Sequence, residues 1–232
     1  MTILDVCVRT SLVIGLDVPS QVFASTDREM LELARLANEI AERIQDSYNW
    51  QELLVMRTET GDGVSETFDL PADYAQMYKT SSMWSSRWTW ALNQIPDVDT
   101  WLEYQVVPYT FVNGNWIIYG NRLHVLPIMA NTETLKYWYV SKNKVTAADT
   151  STKEFFTADD DTFRLSEKLL ELGMIWQWRA NKGLPYAEDM QNYEKKLSQL
   201  MDDNGGSKPI ISGHPQRFYR KGIWAFPATV GQ

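Results

Sequence analysis

Apolar residues recur every three or four positions from Phe163 to Met201, and this spacing predicts two helices joined by a short Gly-Leu-Pro connection. The first helix is apolar around most of its circumference, so we expect it to be buried. Its apolar positions include Leu165, Leu169, Leu172, Gly173, Trp176 and Ala180, and its polar strip is Arg164, Lys168, Glu171 and Arg179. Gly183 stands where a left-handed C-cap is needed, and Pro185 cannot continue the helix.

The second helix has a narrower apolar face, close to a heptad seam. The face consists of Ala187, Met190, Tyr193, Leu197 and Leu200. We expect the two helices to form an antiparallel hairpin.

Two further helices are predicted nearer the N-terminus. Thr2 to Ile14 has apolar residues on one side and ends at Gly15. A longer helix runs from about Asp27 to Ser47, with Ser25, Thr26 or Asp27 available as the N-cap.

From Trp50 the apolar period changes from about 3.6 residues to 2, which indicates strands. Gly61-Asp62-Gly63 separates two alternating segments, so the pattern predicts a hairpin there. Gly120-Asn121 predicts a second hairpin, from Trp116 to Leu126. Leu135 to Ser141 has strong strand composition, Trp101 to Val107 alternates, and Lys142 to Thr157 has the composition of a polar connection back to helix.

These patterns predict an α+β fold in which a helical bundle carries an inserted antiparallel β domain and an extended C-terminal arm. Residues 1–49 supply the N-terminal helices of the bundle, 50–145 the β domain, and 146–203 the hairpin that completes the bundle. Residues 204–232 begin with a Gly-Gly-Ser hinge but are too rich in aromatic residues for a disordered tail. We interpret them as an arm that orders by docking, either on its own domain or on another chain.

Composition excludes several classes of protein. The 232 residues are 44% hydrophobic and carry a formal net charge of −8, which argues against a surface that binds nucleic acid through its phosphates. No stretch is long and apolar enough to span a membrane, and the start of the chain lacks the pattern of a signal peptide. The single cysteine, Cys7, lies in an apolar segment and is expected in the core of a cytoplasmic protein.

Candidate chemical groups are few. Asp159, Asp160 and Asp161 could hold a cation, but they precede a predicted helix and are better explained as N-terminal capping residues. His124 and His214 have no adjacent nucleophile motif. No nucleotide-binding pattern is present, so neither a cofactor nor a metal is expected and the chain is not expected to be an enzyme.

Ten Trp, eleven Tyr and eight Phe suggest more packed surface than one monomer needs. Trp84, Trp88, Trp90 and Trp101 form a cluster that could stack on sugars, with polar partners Asn93, Asp97 and Asp99. A β-domain core or a subunit contact is the commoner use of such aromatic residues. Arg87 is expected to stack on a neighbouring Trp.

Three stretches resemble the adaptor proteins of head-to-tail connectors in tailed bacteriophages. The main one runs from Asp161 through Leu172-Gly173-Met174-Ile175-Trp176-Gln177-Trp178-Arg179 and Lys182-Gly183-Leu184-Pro185-Tyr186-Ala187-Glu188-Asp189 to Tyr193-Glu194. The Phe68 to Tyr74 turn and Asn49-Trp50 are similar to that family as well. The resemblance covers about residues 25–202.

The resemblance implies a virion protein that forms a ring, usually of twelve copies, below the portal and above tail or nozzle proteins. It would assemble in the host cytoplasm, with DNA passing through its channel without specific binding and with no membrane partner. The residues expected to pack the subunits are Leu169, Leu172, Trp176, Met190, Tyr193 and Leu197. The anchors expected in the portal-docking arm are Ile210, Ile211, Phe218, Tyr219, Trp224 and Phe226.

Three alternatives remain open from the residues alone. The chain could be another tail or baseplate subunit with a different partner. It could be a glycan-binding module using the Trp84 to Trp101 cluster, or a hydrolase using His124 or His214.

Overall fold

The computed structural model describes residues 1–78, 81–107 and 110–204, which form a mixed α+β fold. The helices of this part are α1 (Ile3–Ile14), α2 (Arg28–Ser47), α3 (Val98–Val106), α4 (Glu167–Asn181) and α5 (Ala187–Asn204), with a 3-10 turn at Gln51–Leu53. The strands are β1 (Leu54–Thr60), β2 (Thr67–Asp69), β3 (Tyr74–Met77), β4 (Trp84–Ser85), β5 (Asn93–Gln94), β6 (Asn115–Tyr119), β7 (Arg122–Leu126), β8 (Thr134–Ser141), β9 (Val145–Thr146), β10 (Thr152–Lys153) and β11 (Thr162–Phe163). None of the helices in the described ranges is long and apolar enough to cross a membrane.

The two predicted N-terminal helices are confirmed, and the caps of α1 explain its limits. Thr2 and Asp5 form a capping box at the start of α1, and Gly15 ends it in the left-handed conformation at φ 80°. Asp27 occupies the N-cap position of α2 without a side-chain capping hydrogen bond.

The C-terminal hairpin is confirmed, although α4 begins four residues later than its predicted start at Phe163. Phe163 belongs to β11, and the Ser166 hydroxyl accepts the Leu169 N–H, so the helix begins after Ser166. Gly183 follows the helix at φ 69°. Because Arg179 pairs with Asp189 and the Trp176 ring contacts that of Tyr193, α4 and α5 run antiparallel.

Helix α4 lies at the centre of the helical core, in contact with α1, α2 and α5. Gly173 allows α4 to lie close to both α2 and α5: a Cβ there would meet the Ile40 Cγ2 of α2 and lie 3.2 Å from the Tyr193 ring of α5. Cys7 is fully buried in this core, as predicted, and burial raises the pKa of its thiol to about 12. Glu171, a member of the predicted polar strip, is buried and pairs with Lys168.

The predicted hairpin around Gly61 is wrong, because the two strands on either side of it join different sheets. β1 pairs antiparallel with β8, and β2 pairs antiparallel with β7. Gly61 is required for a different reason: its N–H donates to the Glu133 carbonyl, and a Cβ would lie 2.7 Å from Met129 Cβ. The glycine therefore permits close contact with the turn before β8.

The hairpin at Gly120-Asn121 and the strand at Leu135 to Ser141 are both confirmed. β6 and β7 pair in antiparallel register, with Trp116 opposite Val125. The second sheet has the order β2-β7-β6-β5, and β5 pairs with β6 in parallel, so residues 50–145 are not purely antiparallel.

Two other segments differ from expectation. Trp101 to Val107, predicted to alternate as a strand, lies mostly in α3, where the Asp97 carboxylate caps the helix by accepting the Thr100 N–H at 2.8 Å. The predicted connection from Lys142 to Thr157 contains β9 and β10, which join β11 in a small third sheet.

Trp50 links the end of α2 to the first sheet, in which β8 pairs with β1, β3 and β4. Its indole N–H donates to the Ile44 carbonyl at 2.7 Å, and Gln45 Nε2 donates to the Ser141 carbonyl of β8 at 3.2 Å. Trp50 is buried, so its hydrogen bond is shielded from water.

We expect Trp50→Phe to lower the free energy of unfolding by about 1–2 kcal/mol, since it removes a buried hydrogen bond and leaves the Ile44 carbonyl with the Ser47 hydroxyl as its remaining donor. Urea denaturation with an unchanged m-value would measure the loss. Trp138→Phe, at a half-exposed strand position, is the matched control and should change stability by less than half that amount. Equal losses in the two variants would contradict the assigned role.

Candidate assembly surfaces

The predicted subunit-packing residues lie at the seam between α4 and α5 and mostly face the core of their own chain. Leu169 and Tyr193 are buried in the helical core, and Leu172, Trp176 and Leu197 pack against it while remaining partly exposed. Met190 is partly exposed and lies outside this cluster. The structure therefore brings five of the six together in one core.

Aromatic contacts hold the seam together. The Trp176 ring lies 6.4 Å from the Tyr186 ring and 6.1 Å from the Tyr193 ring, and the Arg43 guanidinium of α2 covers it at 5.2 Å. The Trp176 indole N–H and the Tyr193 hydroxyl are buried without a hydrogen-bond partner among the described residues. Burial raises the pKa of Tyr193. The seam thus stabilises the subunit mainly through apolar and aromatic packing.

Helix α3 presents an apolar stripe to the surface. Val98, Leu102 and Val106 are four residues apart and are 58%, 55% and 74% exposed. A cavity of about 470 Å³ is lined by Tyr104 of the same helix together with Val112, which is also exposed. Sequence reasoning missed this stripe because Trp101 to Val107 was interpreted as a strand. The four-residue spacing was the signal that could have found it.

The outer face of the first sheet carries large apolar side chains around Lys136. Met56 of β1 is directly opposite Trp138 of β8, and Trp84 of β4 is opposite Lys136, two residues along β8. Paired residues share a face, and Met56, Trp84 and Trp138 are all exposed in part. The face and the α3 stripe, both in the β-rich part of the chain, are candidate contact surfaces.

The aspartates at 159 and 161 do not cap α4 as predicted; they bind other segments. The Asp159 carboxylate accepts the N–H groups of Val22 and Phe23, at 2.9 and 3.1 Å. The Asp161 carboxylate is 1% exposed, accepts the Thr157 and Ala158 N–H groups and pairs with Lys153 at 2.7 Å. Its backbone carbonyl accepts the Ile3 N–H at 2.7 Å and so closes the start of α1.

These contacts leave the carboxylates engaged within the fold. In the described ranges, no three His, Cys, Asp or Glu side chains are grouped so that they could hold a metal ion.

The structure separates the members of the Trp cluster. Trp101 is 2% exposed and packs with Ile95, Ile117 and Leu126 in a small core. Trp84 and Trp90 are at the surface. Arg87 lies over the Trp88 ring at 4.8 Å, which confirms the predicted stacking. The four Trp side chains therefore do not offer one platform for a sugar.

His124 is enclosed by aromatic rings. It stacks on Tyr119 at a centroid distance of 3.7 Å and meets the edge of Trp101 at 6.3 Å. Burial lowers the pKa of His124, and its Nδ1 has no hydrogen-bond partner among the described residues. A catalytic triad needs a carboxylate on one ring nitrogen and a nucleophile on the other, and the described part of the chain does not supply that arrangement at His124. His214 lies outside the described residues.

Helix α5 ends beside the 3-10 turn at Gln51–Leu53. Asn204 Oδ1 accepts the Gln51 N–H at 3.0 Å, and Asn204 Nδ2 donates to the Glu52 carboxylate at 2.7 Å. These contacts fix the position of the C-terminal end of α5. The predicted anchors of the arm lie outside the described residues: Ile210, Ile211, Phe218, Tyr219, Trp224 and Phe226.

Comparison with protein families matches residues 1–217 to the family described as SU10 adaptor protein. The matched range is wider than residues 25–202, over which the resemblance was recognised, and it contains every described helix and strand. A search of curated proteins finds no match.

Proposed function

The chain belongs to the SU10 adaptor protein family, and from this membership we propose that it is a head-to-tail adaptor that assembles as a ring below the portal of a tailed bacteriophage. The family match over residues 1–217 is the observation that carries this proposal. The adaptor family supports a structural role in the virion, in assembly with portal and tail proteins. In this proposal the ring holds twelve copies, forms in the host cytoplasm and has no enzymatic activity.

The domain arrangement belongs to the same proposal. Helices α1, α2, α4 and α5 form the bundle, and residues 50–145 are a β domain inserted into it. A closed ring needs two different patches on each subunit, one for each neighbour. The α3 stripe of Val98, Leu102 and Val106 and the sheet face around Met56 and Trp138 supply apolar area on separate elements.

Charge supports the passage of DNA through the ring. The net charge of −8 favours a channel lining that repels the phosphate backbone, so that DNA passes without specific binding. Partly exposed seam residues, Leu172, Trp176, Met190 and Leu197, contribute to the wall between subunits. Phe218, Tyr219, Trp224 and Phe226 of the arm are the anchors on the portal.

Electron microscopy of the protein mixed with its cognate portal tests the proposal. We expect the full chain to form a ring on the portal and a chain ending at Gly205 to form none, because the truncated chain lacks the anchors. A ring with both chains would remove the arm from the proposal but leave the adaptor role. Binding by neither chain would contradict the adaptor role and favour another tail or baseplate subunit.

A further inference from the structure

A cavity of about 340 Å³ lies at the C-terminal end of α5. Its lining includes the apolar side chains of Trp50, Leu165 and Leu200, together with polar Gln51 and Ser166. The exposed carboxylates of Glu52 and Asp203 also line it, with Asn204 beside them. The cavity therefore presents apolar side chains next to two carboxylates.

The electrostatics of the cavity favour a cationic occupant. Asp202 and Asp203 stand in the last turn of α5, which has no basic residue, although the C-terminal end of a helix is itself negative. No described residue forms an ion pair with Glu52, Asp202 or Asp203. The nearby Arg164 guanidinium is already bonded to the Asn143 and Glu52 carbonyls.

The C-terminal segment has the complementary charge. Residues 205–232 contain four Lys or Arg and no Asp or Glu. Residues 1–204 contain the other 18 Lys or Arg and all 30 Asp or Glu, so their net charge is −12. Three of the four cations lie in Arg217-Phe218-Tyr219-Arg220-Lys221. This short stretch pairs two aromatic rings with three positive charges, which matches a cavity that presents apolar side chains next to two carboxylates.

We propose that, in the free subunit, Arg217 to Lys221 docks into this cavity of its own chain. Asn204 lines the cavity, and only 12 residues separate it from Arg217. A linker of that length gives an effective concentration on the order of millimolar, far above that of a second copy at micromolar concentration. Gly205 and Gly206 restrict the backbone direction little, so the chain can turn back immediately after α5.

In this state the cavity holds the same aromatic residues that are proposed to anchor the portal, so the subunit keeps them covered until the portal competes for them. The inference goes beyond the adaptor role, since it concerns the subunit before assembly. It stands or fails independently of ring formation.

Disulfide formation in the full chain tests the docking. Gln51→Cys places a thiol on the cavity wall and keeps both carboxylates, and Gln216→Cys places one beside the docking stretch without changing it. The native Cys7 does not compete, because it is fully buried and its pKa is raised to about 12. We expect a disulfide within one chain to form at least about tenfold faster than in a control that pairs Gln216→Cys with Val64→Cys. Val64 is exposed and lies beyond the far end of β1.

Charge reversal completes the test. Adding R217E, R220E and K221E should reduce the rate of the Gln51 pair to that of the Val64 pair, and 1 M salt should act in the same direction by screening. Equal rates for the two pairs, or a difference that survives the charge reversal, would overturn the proposal. Disulfides mainly between two chains would overturn it in favour of a second copy as the occupant.

Discussion

Gly173→Val is expected to lower the free energy of unfolding by about 3 kcal/mol, because the helical core has no room for a side chain at this position. A Cβ at residue 173 would collide with Ile40 Cγ2 and lie 3.2 Å from the Tyr193 ring. Ile40 is fully buried and its β-branched side chain has little rotamer freedom, so it cannot move aside at low cost. The substitution would push α4 away from both α2 and α5.

Gly173→Ala separates this packing effect from helix propensity. In an exposed helix, alanine in place of glycine gains up to about 1 kcal/mol. Here we expect a net loss, since the Cβ alone causes the collision. Urea denaturation measures both variants, with Ser198→Ala on the exposed side of α5 as the control that tolerates change. A Gly173→Ala protein as stable as the parent would contradict the packing assigned to this glycine.

Asp161→Ala is expected to have a loss of similar size, about 3 kcal/mol, for a different reason. The carboxylate accepts two backbone N–H groups, from Thr157 and Ala158, and pairs with Lys153. Alanine would leave these donors without their acceptor in a buried site. Asp160→Ala, at an exposed neighbouring carboxylate, is the matched control and should be near neutral.

The same carboxylate makes stability depend on pH. Burial acts to raise the pKa of Asp161, but Lys153 and the two N–H groups outweigh it, so the pKa is lowered from its usual 3.8. The stabilisation is therefore complete above the ordinary carboxyl pKa and is lost as pH falls through the lower value of the folded state. Thermal unfolding between pH 5 and 2 should show a steeper loss for the parent than for Asp161→Ala. Parallel curves would contradict this role.

Local sequence signals were sufficient for α1, α2, α4, α5 and the β6–β7 hairpin, and failed for α3 and for the pairing of β1 and β2. Thr2, Gly15 and Gly183 act within a few residues of themselves, so the limits they predict for α1 and α4 are close to those observed. Gly61 carried the same kind of signal as Gly120, but its role depends on Met129 and Ala130, which contact it from almost 70 residues away. Composition does not distinguish a glycine in a hairpin turn from one that another segment crosses.

Prediction of the candidate surfaces from sequence succeeded and failed for the same reasons. Tyr193 and Leu169 follow a helical period, and the structure places them in the predicted helical core. The α3 stripe was missed because a short segment with aromatic residues fits both periods, and Asp97 as N-cap is what decides for a helix. The cavity at the root of the arm was not predictable, since its wall combines Trp50, Leu165 and Leu200 from three separate parts of the chain.

The central position of α4 also sets the order in which the nascent chain can fold. On the ribosome, α1 and α2 emerge about 120 residues before α4, the helix that covers their apolar faces. At about 5–20 residues per second, that gap leaves the faces uncovered for roughly 6–24 s. Strand β1 likewise emerges well before β8, the strand with which it pairs. The chain therefore depends on avoiding aggregation during its own synthesis, and a host chaperone that shields α1 and α2 would raise the yield of folded subunits.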